Sequence, residues 1–253
     1  MTPDAGIFQH IGWYLTEGGR LYVDAWEPKL PLSFETTAIL ATLSGGDMRL
    51  FHLMNVGLMV AVTVGIVALV GLLAYELTGD GYASILAGFS MYLLAGFAVR
   101  PAYGYKGKYL LLFTGLLAVY LFLHNHPLAS GAAAAAMGYW QLGAIFPLLV
   151  VGLVVGRRER DVLAAVVIGG VAFTAAMLVP AVALWNSGSE MVAQALVISM
   201  LVDNEASLGE KVLAGVLHFK WASPFVLVGA YGAWRGSLAD RNHRNWWAIA
   251  GAA

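Results

Sequence analysis

Met48–Leu77 reads MRLFHLMNVGLMVAVTVGIVALVGLLAYEL. Its charged residues, Arg49 and Glu76, stand near the two ends, and none lies between them. A helix that crosses a bilayer needs about 20 apolar residues, within a range of about 17–25. This run supplies them with length left for tilt, so it sets the fold class as helical and membrane-embedded.

Working outward, the same pattern recurs. Tyr82–Val99 fits one span, and Tyr109–Leu123 is short but apolar throughout. Leu128–Gly156 is too long for one span and is interrupted by Gly138-Tyr139-Trp140-Gln141 and by Pro147, so it reads as two short helices broken near 139–147. Val162–Trp185 and Trp221–Trp234 follow, and Trp246 opens a further span that is cut short. The expected fold is all-α: residues 1–253 form one transmembrane bundle of about seven or eight helices, with residues 1–47 as an external loop of short helices. Small-residue runs such as SGAAAAAMG and VIGGVAFTAAM let helices approach closely where lipid gives no hydrophobic drive.

Composition agrees. Of 253 residues, 60% are hydrophobic and 11% charged, and mean hydropathy is +0.74. An ordinary soluble domain carries about 25% charged residues. The net charge of −1 and the lack of any Lys/Arg-rich run exclude a phosphate-tracking nucleic-acid surface. The absence of cysteine excludes disulfides, thiolate metal sites and a cysteine nucleophile. No Walker A, HExxH or dinucleotide fingerprint occurs, so no cofactor or metal is expected.

Met1 runs directly into polar sequence, without the basic and apolar regions of a signal peptide. Together with the cut at Trp246, this reads as a fragment of a longer chain. The segment Asn186–Lys220 is polar, with Met191, Ala195, Ile198 and Val202 at helical spacing. That pattern predicts a helix lying at the membrane surface. Arg157-Arg158-Glu159-Arg160 and Arg235, Arg241 and Arg244 belong on the cytoplasmic side under the positive-inside rule. Counting spans back from Arg157 puts the opening loop outside. Arg100, Lys106 and Lys108 then also fall outside, against the rule, where they can face a negatively charged ligand.

The opening loop carries Asp4, Glu17, Asp24, Glu27 and Glu35 among Trp, Tyr, Pro and Gly. Three pieces stand out in order: Asp4-Ala5-Gly6-Ile7-Phe8, Gly19-Arg20-Leu21-Tyr22-Val23-Asp24 and Glu27-Pro28-Lys29-Leu30-Pro31-Leu32. This pattern resembles the first external loop of the polytopic GT-C glycosyltransferases, in the branch of the dolichyl-phosphate-mannose-protein mannosyltransferases and aminoarabinose transferases. Phe8 stands where that family usually has Tyr, Leu30 where it has Pro, and the second external loop, RPAYGYKGKY, is basic where relatives are often acidic. Trp140-Gln141 stands where relatives often have Lys, and the family's first membrane helix, which precedes the aspartate, is missing.

The resemblance implies transfer of a sugar from a polyprenyl-phosphate carrier to an acceptor hydroxyl on the non-cytoplasmic face, in a multi-pass protein of a prokaryotic plasma membrane. The acceptor is a protein, glycan or lipid hydroxyl. Asp4 occupies the family's catalytic-base position. A carboxylate within hydrogen-bond reach removes the hydroxyl proton as the new bond forms. Arg100, Lys106 and Lys108 are candidates, by location, for meeting the charge on the departing phosphate. Attack opposite that phosphate inverts the anomeric carbon.

Asp24, Glu27, Lys29 and Tyr22 are second-tier candidates for substrate binding. Asp24 holds the loop's shape or touches sugar hydroxyls, and both readings stand. Tyr22, Trp13 and Trp26 stack on sugar faces or form the aromatic belt at the headgroup level. His124 and His126, two residues apart, do not share a helix face and read as a solvated turn. His52, at the start of the first span, lines the lipid-phosphate pocket or is a satisfied interfacial histidine. Residues 4–35 should form short helices over the bundle's mouth, with Asp4 facing a cavity across from Lys106 or Lys108. Two other classes remain open: a transporter, against which the charge-free spans argue, and an inactive or scaffolding membrane fragment.

Overall fold

The structure is a computed structural model that describes residues 3–140 apart from 28, 95 and 125, together with 188–191, 193 and 194. Val162–Trp185, Trp221–Trp234, the span from Trp246, the second half of the broken helix, both arginine clusters and most of Asn186–Lys220 lie outside the described residues. Among the described residues the regular structure is helical, with one isolated bridge between Leu21 and Ala25.

The chain opens with α1 (Pro3–Thr16) and, after a loop, α2 (Leu32–Leu43). Then comes α3 (Met48–Thr78), whose 31 residues match the expected first span. Its ends are set by local chemistry. Asp47 accepts from the N–H groups of Arg49 and Leu50, satisfying donors that the first turn leaves free. Gly79 terminates it in the left-handed region at φ 66°, with its N–H on the Tyr75 carbonyl. At about 1.5 Å per residue, α3 is about 46 Å long, more than a hydrocarbon core of about 30 Å. Among the described residues it alone is long and apolar enough to cross a membrane. Phe51, Asn55, Met59, Val62, Ile66 and Leu69 form its buried face, while Leu53, Val60, Val64 and Leu72 are exposed. Apolar side chains on both faces suit a helix with protein on one side and lipid on the other.

The span expected over Tyr82–Val99 is shorter than its sequence implied. Here α4 (Gly81–Ser90) ends after ten residues and passes into a 3-10 turn at Met91–Leu93. Gly96 then takes φ 78°, and a second 3-10 turn covers Arg100–Tyr103 with Pro101 near its start. Apolarity alone made this stretch look like one helix. Left-handed Gly96 and the ring of Pro101, which has no N–H, turn the chain aside instead. The result is an arm, residues 94–106, that folds back over the start of α3. The arm leads into α5 (Gly107–Leu123) and α6, described over Pro127–Trp140.

The helices meet through small residues. A Cβ on Gly88 of α4 would lie 2.8 Å from the Val67 carbonyl oxygen of α3, so only glycine permits that approach. Ser84 Oγ donates to the Gly71 carbonyl at 2.7 Å in the same crossing, and Ser130 Oγ does likewise to Ala118 between α6 and α5.

The core sits at the α1 end of α3. Phe8 stacks obliquely on Phe34 and Tyr105, with ring centroids 5.3 and 5.2 Å apart. Leu21, Tyr22, Leu30, Met59, Phe97, Tyr109 and Met191 join them. The opening segment is therefore packed onto the bundle, with short helices at both ends. Met191 lies in a described helix, α7 (Gly188–Met191), and is buried in this core. The surface helix expected there leaves that residue inside the protein.

Candidate functional site

Between α1 and α2 the chain has no regular ladder, so its backbone groups need other partners. Arg20 and Asp24 supply one knot. The Asp24 carboxylate accepts from the Arg20 backbone N–H at 2.9 Å and from Nε at 3.2 Å. The Arg20 guanidinium holds the Asp24 carboxyl below its ordinary value. This pair is on the outer surface, facing solvent.

Tyr22 sits inside the knot at φ 68°, the left-handed region, and is 1% exposed. Its N–H donates to the Ala25 carbonyl at 2.9 Å and its hydroxyl to the Lys29 carbonyl at 2.7 Å. Burial, then the charges of Glu35 and Glu27, push its phenol well above the usual tyrosine value. Tyr22 thus pins the loop from within, and it is Trp26, 61% exposed, that presents an open ring. Gln194 closes the loop from outside. Its Nε2 donates to the Tyr22 carbonyl at 2.6 Å, and its Oε1 accepts from the Glu27 N–H at 3.1 Å. One side-chain amide thereby pairs two backbone groups about 170 residues away in sequence.

Glu27 and Lys29 form a second pair. Lys29 Nζ lies 2.9 Å from Glu27 Oε1 and 5.1 Å from the centroid of the Phe8 ring. The Glu27 side chain is 8% exposed and that of Lys29 48%. A buried carboxylate needs such a partner, and the Phe8 face adds a cation–π contact.

The cations of the arm and of the first turn of α5 separate into two sets. Arg100 and Lys108 line one cavity of about 240 Å³ with Leu94, Phe97, Tyr109 and Leu112. Lys106 is not among its lining residues, and its backbone N–H points to Met59 Sδ at 3.2 Å. Tyr109 donates to the Phe97 carbonyl at 2.7 Å and so ties the two walls of the cavity together.

Asp4 stands in the first turn of α1, and its side chain lies outside the described residues. Its neighbour Ala5 is fully buried against the arm: a Cβ on Gly104 would lie 3.5 Å from the Ala5 Cβ. The α1 start and the arm are thus in contact through Ala5 and Gly104, while the direction of the Asp4 carboxylate lies outside the described residues. Asp24 is instead paired with Arg20, both part-exposed. Among the described residues there is no group of three His, Cys, Asp or Glu able to hold a metal.

Sequence reasoning passed over Gln9, Arg20 and Gln194. Gln9 had one available signal: with Ala5, Phe8 and Gly12 it falls on a single helix face, where a lone amide among small and apolar residues is conspicuous. His124, read as part of a solvated turn, is exposed and lies in a turn, with Nε2 3.4 Å from Glu76 Oε1 and its ring 4.2 Å from that of Tyr120.

An apolar-walled trough with two cations at its rim, on a helical bundle with a bilayer-length helix, suits an amphiphile with an anionic head. The chain belongs to the DolP-mannose mannosyltransferase family, which it matches over residues 18–179. It is also 32% identical over 249 residues to the dolichol phosphate-mannose mannosyltransferase of Haloferax volcanii. That alignment takes in 98% of this chain and 54% of the relative, so the chain spans about half the relative's length. No solved structure matches the chain.

Proposed function

We propose that the protein is a membrane glycosyltransferase that moves a mannosyl group from a polyprenyl-phosphate carrier to an acceptor hydroxyl on the non-cytoplasmic face. The family supports the donor class. The carrying observation is the cavity that joins Arg100 and Lys108 to Leu94, Phe97 and Leu112. A polyprenyl phosphate needs that combination: cations for the phosphate, apolar walls for the first isoprene units.

In this reading Asp4 is the base. The acceptor oxygen bonds to the anomeric carbon, its proton passes to Asp4, and the bond from that carbon to the phosphate oxygen breaks. The electron pair leaves on the phosphate, where Arg100 and Lys108 meet it without needing a proton donor. Attack from the face opposite the phosphate inverts the centre. Lys106 stands on the same arm and completes its positive field. Glu27 and Lys29 shape the wall under Phe8 and offer hydrogen bonds to sugar hydroxyls, while Tyr22 and Asp24 hold the loop that carries them.

The test is transfer of radiolabelled mannose from dolichyl-phosphate mannose in membranes carrying the full-length protein. Asp4→Asn should lower transfer by about 10²–10⁴-fold, the usual share of a positioned base. Equal transfer by the variant removes Asp4 from the mechanism.

A further inference from the structure

Three elements converge on Gly104, where the arm leaves its second 3-10 turn. A Cβ there would lie 2.8 Å from Gln9 Nε2, 3.5 Å from the Ala5 Cβ and 3.6 Å from His52 Cε1. With φ at 108°, the backbone also asks for glycine. Here α1, α3 and the arm are held in contact around one imidazole.

The polar atoms near that imidazole are unusual. Gln9 is 5% exposed, and its Oε1 lies 3.4 Å from His52 Nδ1. Its Nε2 is buried with no partner among the described residues. One turn along α3 from His52, Asn55 is fully buried. Its Nδ2 donates to the Phe51 carbonyl at 2.8 Å, while Oδ1 has no partner among the described residues. Each unpaired buried atom costs about 1–3 kcal/mol. Apolar residues at positions 9 and 55 would avoid that cost, so packing alone does not account for the pair.

Orientation of the histidine does account for Gln9. An amide presents a donor at one end and an acceptor at the other, in nearly the same shape. Whichever end faces Nδ1, the ring is held at that nitrogen. As placed, Gln9 Oε1 faces Nδ1, which makes Nδ1 the donor and Nε2 the acceptor of a neutral ring; turning the amide end for end brings its nitrogen to Nδ1 and puts the ring proton on Nε2. His52 is half-buried, and no hydrogen bond or ion pair to Nε2 occurs among the described residues. Gly104 is four residues from both Arg100 and Lys108, a span of at most about 14 Å of chain.

We propose that His52 Nε2 donates a hydrogen bond to the phosphate of the lipid carrier, and that Gln9 is the positioning residue that aims it. This assigns the phosphate an uncharged contact from α3, from a residue outside the set that lines the Arg100–Lys108 cavity, and it rests on the polyprenyl-phosphate reading above. It also explains the glycine at 104: a side chain there would push Gln9 off the ring.

The test separates phosphate from lipid tail. Full-length protein in detergent is titrated with dolichyl phosphate and, separately, with dolichol, which has the tail and no phosphate. His52→Ala should weaken dolichyl phosphate binding by about tenfold, the loss of one hydrogen bond to a charged group, and leave dolichol unchanged. His52→Gln, whose terminal amide reaches the Nε2 position, should recover most of it. Gln9→Leu should fall between wild type and His52→Ala. Unchanged dolichyl phosphate binding in His52→Ala overturns the proposal, as does an equal loss for both ligands, which marks a structural role. The outcome is separate from that for Asp4, because normal transfer by Asp4→Asn defeats the catalytic reading while leaving the phosphate contact intact.

Discussion

The two ends of α3 treat polar residues in opposite ways. At the Glu76 end, Glu76 and His124 are both partly open to solvent, and Asp80 caps α4 through the Tyr82 N–H. Each group there has water as an alternative partner, so none is costly. At the Asp47 end, Gln9, Glu27, Ser33, Thr37 and Asn55 are all buried, each 6% exposed or less. Thr37 is satisfied by the Phe8, Ser33 and Phe34 carbonyls, and Glu27 by Lys29. Gln9 and Asn55 keep one atom each unpaired among the described residues. A surface needs no reason for its charges, whereas a buried polar cluster does. The difference marks the Asp47 end as the candidate site.

That contrast can be broken or sharpened by substitution. The largest effect is expected for Gly104→Val, which meets both a left-handed backbone and the Gln9 amide. Strain and overpacking together should cost about 3 kcal/mol. Thermal unfolding in detergent measures it, and an unchanged midpoint would show that the arm yields easily. Gln194→Ala comes next. It leaves the Tyr22 carbonyl and the Glu27 N–H unpaired, a loss of about 1–3 kcal/mol confined to the loop. Limited proteolysis between residues 17 and 31 should accelerate while the helices stay protected. At the opposite end of α3, Glu76→Gln should change stability by about 0–1 kcal/mol, as for other exposed pairs. A larger loss would erase the asymmetry between the two ends.

The smallest effect belongs to Asp24. Arg20 lowers its folded pKa, so the unfolded loop takes up a proton more readily than the folded one. The pair's contribution is therefore complete above the unfolded value of about 3.9 and fades as pH falls through the lower folded value. Because both partners face water, salt should screen it. Protease sensitivity of the loop, followed from pH 5 to pH 2, should rise a little less steeply in Asp24→Asn than in wild type. Equal profiles would mean that the knot holds without its charge.

Several features were plain in the residues. The bounds of α3 were legible within one residue because its stops are local: an aspartate that caps and a glycine that turns left-handed. The start of α5 was legible to within two residues for a similar reason, a change from a polar arm to an apolar run. The break of the span after Ser90 was not, since Gly96 and Pro101 sit among apolar residues that conceal a turn. Arg100, Lys106 and Lys108 were singled out by position; the fold gives Arg100 and Lys108 a shared cavity, and Lys106 is not among its lining residues. Tyr22 and Asp24 were ranked by residue type, which says nothing of burial. One turned out to be enclosed and the other held at the surface by Arg20.

Hydropathy and periodicity by themselves determined that the described residues are helical and that α3 is long enough to cross a bilayer, because that helix carries its own apolar length and its own end signals. The order of residues in the opening segment also pointed to a family. Only the tertiary structure decided which polar groups lose water. That depends on which segments close over one another: the arm over α1 and α3, and Gln194 over the opening loop. Desolvation is a property of the assembled neighbours, so a glutamine at position 9 or a histidine at position 52 acquires its meaning only when Gly104 is packed against both.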